Sequence, residues 1–194
     1  MTESLITKVI WEIVKFSTEK ALKTLKREEK VLRILNAFNL KSSKPKSDFK
    51  SVYAHTLVEY GIEKPKPILE FFRLPEIQEA FKDAFYQKNF AVLIHKAVSL
   101  TKWHMVGDKL RELNFDPRSE FDKFTLVFNT MVDFTLTPAQ KRSDNKLDEI
   151  LEIVRGDNKG KIQEKIIEIS RGSHSKQLKS WFKAPQTSYS YSAS

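Results

Sequence analysis

The chain has 194 residues and a formal net charge of +9, with 40% hydrophobic and 30% charged residues, as in a folded protein that can bury one large core. It contains no cysteine, which excludes disulfides, thiol catalysis and cysteine-ligated zinc and fits a cytoplasmic location. Charged residues interrupt every apolar run, so we expect neither a signal peptide nor a transmembrane helix.

The first third of the chain predicts helices. Residues 3–39 contain neither glycine nor proline, and their apolar residues recur at helical spacing. The polar stretch Lys26–Lys30 is expected to divide this segment into two helices. Asp48 is expected to cap the next helix, and Gly61 is expected to end it as a left-handed C-terminal cap.

Prolines mark the starts of the later helices. Four of them stand where the first turn of a helix tolerates proline, at Pro67, Pro75, Pro117 and Pro138. Asp116 and Thr137 precede the last two as capping residues, and isoleucine spacing predicts a further helix over residues 162–169. With 14 phenylalanines and only 5 glycines, the chain predicts an all-α bundle of about eight helices. Its Phe-rich core is expected to include Phe121, Phe124, Phe128 and Met131.

The domain organisation follows from composition and charge. We expect one helical domain over residues 1–170, with residues 1–40 as a candidate separate hairpin, and a basic, then Ser- and Tyr-rich tail or linker over residues 171–194. The net charge is +5 over residues 1–60, −1 over residues 61–154 and +5 over residues 155–194. The basic ends suit phosphate, an anionic membrane or an acidic partner, or are solvated lysines that keep the protein soluble.

The residue types needed for catalysis do not group in the sequence. The histidines stand at His55, His95, His104 and His174, with no H-E-x-x-H pair, and the glycine pattern of a phosphate-binding loop is absent. We therefore expect no enzymatic activity, catalytic residue, metal, cofactor or small-molecule substrate. The acidic residues of the segment 144–152 are expected to form a solvated helix face.

Two segments that mix lysine with aromatic residues are candidate interaction surfaces. Residues 5–26 are amphipathic and carry Trp11 and Lys15, a pattern found in membrane-surface helices and more often in helices packed on a bundle. Nearer the C-terminus, aromatic residues among lysines suit stacking on nucleic acid, at Lys179, Trp181, Phe182 and Lys183. Arginine is sparse in this segment, which argues against specific readout of bases. Protein, membrane and nucleic-acid partners all stay open.

The stretch Ser51–Phe85, together with the segment that begins at Arg118, resembles the N-terminal helical domain found ahead of the NACHT module in bacterial, especially cyanobacterial, NACHT-type NTPases. The markers are the Val-Glu-Tyr-Gly corner at Val58–Gly61, the Lys-Pro pair after it, and two later segments at Glu76–Phe81 and Thr137–Ile150. The similarity extends over residues 30–155.

This resemblance implies a function in signalling. Such proteins are STAND NTPases, related in logic to NOD-like immune receptors: a C-terminal sensor detects an invader, the NTPase oligomerises, and the N-terminal domain is the effector or adaptor. The resemblance thus implies antiphage defence and protein partners, including copies of this chain when clustered. The nucleotide site would belong to the NACHT module, of which this chain contains none.

Overall fold

A computed structural model describes residues 4–19, 24–40, 45–93, 96, 111–112, 114–136, 144–156, 160–169 and 171. Within these ranges the regular structure is helical and no strand occurs, which confirms the all-α class. The helices are α1 (Leu5–Thr18), α2 (Arg27–Ala37), α3 (Phe49–Gly61), α4 (Lys66–Arg73), α5 (Pro75–Gln87), α6 (Pro117–Leu136) and α7 (Asp144–Arg155). Residues 160–169 form a further helix, α8.

The helix starts follow the local capping signals. The Asp48 side chain accepts a hydrogen bond from the backbone N–H of Ser51 at 2.9 Å, and the Asp116 side chain accepts one from the backbone N–H of Arg118 at 3.0 Å. Pro75 begins α5 as predicted. The predicted division of the N-terminal segment into two helices is also confirmed, because α1 ends at Thr18 and α2 begins at Arg27. Its predicted place is wrong, since residues 27–30 of the polar stretch belong to the first turn of α2.

The prediction for Gly61 is wrong. No described glycine has a positive φ, and Gly61 is the last residue of α3, while the left-handed residue is Glu63 with φ 75°. A Cβ atom on Gly61 would lie 2.7 Å from Leu69 Cδ2 and 3.2 Å from Ile13 Cδ1. Glycine therefore suits this position because side chains of α1 and α4 pack closely on the backbone of α3, and not because the backbone turns there.

Helix α3 lies at the centre of the bundle. It packs against α1, α2 and α6, and α1 also contacts α4. The apolar face of α1 is buried in the same core as the later helices, through Ile6, Val9, Ile10, Ile13 and Phe16. This face therefore packs on protein, which was one of the two interpretations of the amphipathic segment.

Aromatic rings fill the middle of the core, as predicted. Phe121, Phe124 and Phe128 are fully buried, and Met131 is 2% exposed. Phe124 stacks on Phe72 with ring centroids 4.0 Å apart. Its ring also lies 5.1–5.3 Å from three further aromatic rings, those of Tyr53, Tyr60 and Phe81. The predicted start at Thr137-Pro138 and, apart from residue 171, the predicted tail lie outside the described residues.

Candidate functional site

A buried polar corner joins the end of α3 to the first turns of α6. The Glu120 carboxylate accepts hydrogen bonds from Lys64 Nζ at 2.9 Å and from Lys123 Nζ at 2.8 Å. The Tyr60 hydroxyl donates a third, and Lys64 Nζ lies 4.9 Å from the centroid of the Tyr60 ring. Because Glu120 and Lys123 are both buried, these contacts fix the turn after α3 against α6.

The charge state of this corner is set by its donors. Burial disfavours the ionised form of Glu120, but the Lys64 charge and the hydrogen bonds from Lys123, Tyr60 and Lys64 outweigh it and lower the pKa of Glu120 from its ordinary 4.5. Burial and the Glu120 charge in turn raise the pKa of the Tyr60 hydroxyl. Glu120 thus stays ionised with its oxygens occupied, which suits a structural clamp rather than a general base.

We expect Glu120→Gln to weaken the loss of stability in acid. Because the pKa of Glu120 is lower in the folded chain, the unfolded chain takes up this proton first as the pH falls. The contribution of Glu120 is therefore complete above the ordinary glutamate pKa and disappears as the pH falls through the lowered one. Urea unfolding between about pH 5 and pH 3 should show a steeper decline in the free energy of unfolding for the parent chain than for the variant. Equal slopes would contradict this assignment.

An open cleft of about 510 Å³ lies beside the polar corner. Within it, Arg27 Nη2 lies 3.1 Å from Glu59 Oε2 and also donates to the Glu59 carbonyl oxygen. Burial raises the pKa of Glu59, although the Arg27 charge acts in the opposite direction. The lining includes four basic and four acidic side chains. Since these charges balance, the cleft has no strong preference for an anion or a cation.

The outer face of α1 has a different character. Trp11 is 52% exposed, and Lys66 Nζ, from the start of α4, lies 4.8 Å from the centroid of its ring, within the range of a cation–π contact. Lys8 and Lys15, about one helical turn away on either side, are exposed. We call Lys8, Trp11, Lys15 and Lys66 the Trp11 face: an exposed indole among three lysines.

The structure brings together only part of the predicted interaction site. Trp11 and Lys15 lie on one exposed face, and Lys66, which sequence reasoning missed, joins them from another helix. The Lys-Pro-Lys turn before α4 was a visible signal, but its spacing does not say which helix lies beside it. The other predicted residues lie outside the described residues and stay predictions: Lys179, Trp181, Phe182 and Lys183.

The described residues include few groups suited to a bound ion. His55 is 3% exposed and its Nδ1 lies 2.8 Å from the carbonyl oxygen of Ser51, as expected for a structural histidine, whereas the other three histidines lie outside the described ranges. Among the described residues, no group of three or more histidine, aspartate or glutamate side chains could hold a metal ion. None of the described helices is both long and apolar enough to cross a bilayer.

Comparison with known proteins agrees with the resemblance to helical domains found ahead of NACHT modules. The model of the family "NACHT N-terminal Helical domain 5" matches residues 5–138, more than half of the chain. An uncharacterized WD repeat-containing protein of Nostoc sp. (strain PCC 7120) is 40% identical over 113 residues, or 58% of this chain. The chain spans 7% of the length of that relative. No solved structure matches the chain.

Proposed function

We propose that this chain, which belongs to the NACHT N-terminal helical domain 5 family, is the non-catalytic effector or adaptor end of a larger NACHT-type signalling NTPase. Its matched relative is far longer and is named for its WD repeats, which suits a protein with a helical effector end and a sensor built from repeats. The NTPase and the sensor would then be separate modules of the parent protein. Defence against phage is the role we propose for the whole.

The observation that carries this proposal is the Trp11 face. The apolar face of α1 is already buried in the core, so the indole on the opposite side is not needed to complete it. Exposed tryptophan is a typical anchor of protein–protein interfaces, where it becomes desolvated at the centre while polar and charged side chains lie at the rim. The function is therefore a contact with another protein surface.

Clustering is the step that we propose turns the domain on. A net charge of +9 opposes self-association of the free chain, so a single copy is expected to be inactive and monomeric. When the parent NTPase oligomerises, the domains reach an effective concentration on the order of millimolar. Contacts too weak to form in dilute solution then form.

We expect forced clustering in a bacterial cell to produce a response that the single copy does not. The 194-residue chain would be fused to a ring-forming scaffold, and growth arrest, assembly size and co-purified partners would be measured. The controls are the empty ring and the chain fused to a monomeric form of the scaffold. A ring-fused chain with no growth effect, no assembly and no partner would rule the effector role out, and a stable dimer of the free chain at micromolar concentration would rule out the resting monomer.

Membrane contact is a second candidate, favoured by the same face. An indole beside Lys8, Lys15 and Lys66 is also a composition that contacts anionic lipid headgroups. However, the large apolar face of α1 packs on the bundle, which leaves a single ring for insertion. Contact with protein is therefore the function that we place first.

A further inference from the structure

The Trp11 face carries an excess of positive charge. Lys15 Nζ lies 3.7 Å from the Glu12 carboxylate, but within the described part of the chain no carboxylate lies within ion-pair distance of Lys8 or Lys66. The face therefore carries three lysines with one carboxylate beside them. A partner for this face needs a groove that accepts an indole and carboxylates at its edges.

A second surface of the same chain has this chemistry. A groove of about 530 Å³ lies between α7 and α8, within the usual size range of about 300–1,000 Å³ for sites that enclose a small group. Its lining contains Ile153 and Gly156, two lysines, and four glutamates: Glu149, Glu152, Glu164 and Glu168. We call this surface the acidic groove.

The acidic groove contains both paired and unpaired carboxylates among the described residues. Lys165 Nζ lies 3.5 Å from Glu149 and 3.3 Å from Glu168, so these two carboxylates are already paired. Glu152 and Glu164 are exposed, and neither forms an ion pair within the described ranges. Ile153 adds an apolar surface to the lining of the groove, against which a ring can pack.

We propose that the Trp11 face of one copy docks into the acidic groove of a second copy when the parent protein is clustered, an inference that rests on the proposed function. Trp11 packs against Ile153, while the lysines around it meet Glu152 and Glu164. The two surfaces complement each other in charge and share no residue. Each copy therefore offers one face and one groove.

This arrangement defines the type of assembly. Contacts between two different surfaces are head-to-tail, and where one pair of copies does not form both contacts at once they generate a closed ring or an open filament. A few exposed ion pairs and one ring give weak binding in dilute solution, made weaker still by the repulsion of two copies with a charge of +9 each. We therefore expect this contact to form only at the high effective concentration that the domains reach when the parent NTPase oligomerises.

A charge-swap experiment with the complete chain tests the pairing. One variant reverses the face (Lys8→Glu with Lys15→Glu), and the other reverses the groove (Glu152→Lys with Glu164→Lys). Self-association of the unmodified chain, of each variant and of their mixture would be measured by sedimentation at concentrations up to about 1 mM. Each variant alone should self-associate at least about tenfold more weakly than the unmodified chain, because its face and its groove then carry charge of the same sign. An equimolar mixture should recover binding to within about threefold of the parent, since the reversed face now matches the reversed groove.

Matched controls separate the pairing from general charge effects. Lys50→Glu with Lys88→Glu changes the net charge as the face variant does, at exposed lysines outside both surfaces, and should self-associate like the parent or slightly more strongly. Circular dichroism confirms that every variant keeps its helices. The mixture is informative by itself, because both variants retain a positive net charge and would otherwise repel each other.

Several outcomes would overturn the inference. These are a parent chain that does not self-associate, variants that associate as the parent does, or a mixture that fails to recover. If the unmodified chain instead binds anionic phosphatidylserine vesicles at about 0.15 M salt and Trp11→Glu abolishes this binding, the Trp11 face contacts lipid and not a second copy. A cellular response to clustering that survives both charge reversals would leave the proposed function standing and remove the pairing alone. Recovered pairing without any cellular response would leave the pairing standing and remove the proposed function.

Discussion

Replacing Phe124 with alanine is expected to lower the free energy of unfolding by about 3–5 kcal/mol, which is the usual cost of deleting a fully buried aromatic ring. Phe124 is completely buried and stacks on Phe72 at a centroid distance of 4.0 Å. It also contacts rings from α3 and α5, those of Tyr53, Tyr60 and Phe81. Because these rings come from several helices, the structure cannot close the cavity by moving one of them.

Urea or guanidinium unfolding followed by circular dichroism measures this loss. Tyr86→Ala is the matched control, since Tyr86 is also an aromatic residue of a helix but is 66% exposed, and its loss should cost no more than about 0.5 kcal/mol. Phe128→Ala should resemble Phe124→Ala, because Phe128 is likewise fully buried. A loss below about 1 kcal/mol for Phe124→Ala would show that the aromatic cluster is not the centre of the core.

Replacing Glu120 with alanine is expected to cost about 3–5 kcal/mol, the range seen when one partner of a buried ion pair is removed. Lys123 and Glu120 expose only 6% and 2% of their side chains. Without the carboxylate, the Lys64 and Lys123 ammonium groups lie near each other with the opposite charge removed from between them. The Tyr60 hydroxyl loses its acceptor as well, and an unsatisfied buried donor adds to the cost.

Companion variants show whether the charge itself is responsible. Lys64→Met should cost less, because Lys64 is 20% exposed and Glu120 keeps Lys123 as a partner. Replacing Glu120, Lys64 and Lys123 together with leucine and methionine should recover much of the loss, since apolar residues of similar volume often replace buried ion pairs without penalty. Chemical denaturation at neutral pH measures all of these variants. A cost below about 1 kcal/mol for Glu120→Ala would mean that both lysines reach water once the carboxylate is gone.

Tertiary contacts decide the surroundings of two residues that the sequence singled out. Gly61 was expected to supply a left-handed turn, yet its φ is not positive, and a Cβ atom there would instead press on the buried side chains of Leu69 and Ile13. Trp11 was predicted as a candidate interaction residue of an amphipathic segment, and it lies on the exposed side of α1 rather than in the core. In both cases the deciding neighbours come from other helices, and no local pattern identifies them.

The sequence by itself determined the helices, most of their starts and the make-up of the core. Capping by Asp48 and Asp116, proline in a first turn and apolar spacing along α6 all act within one or two turns, so a linear pattern contains the information they need. Only the tertiary structure decided that Lys66 meets Trp11, that Lys64 and Lys123 share the Glu120 carboxylate, and that an acidic groove forms between α7 and α8. Those contacts join residues that are brought together by helix packing, and packing angles depend on the shapes of whole helix faces rather than on any residue spacing.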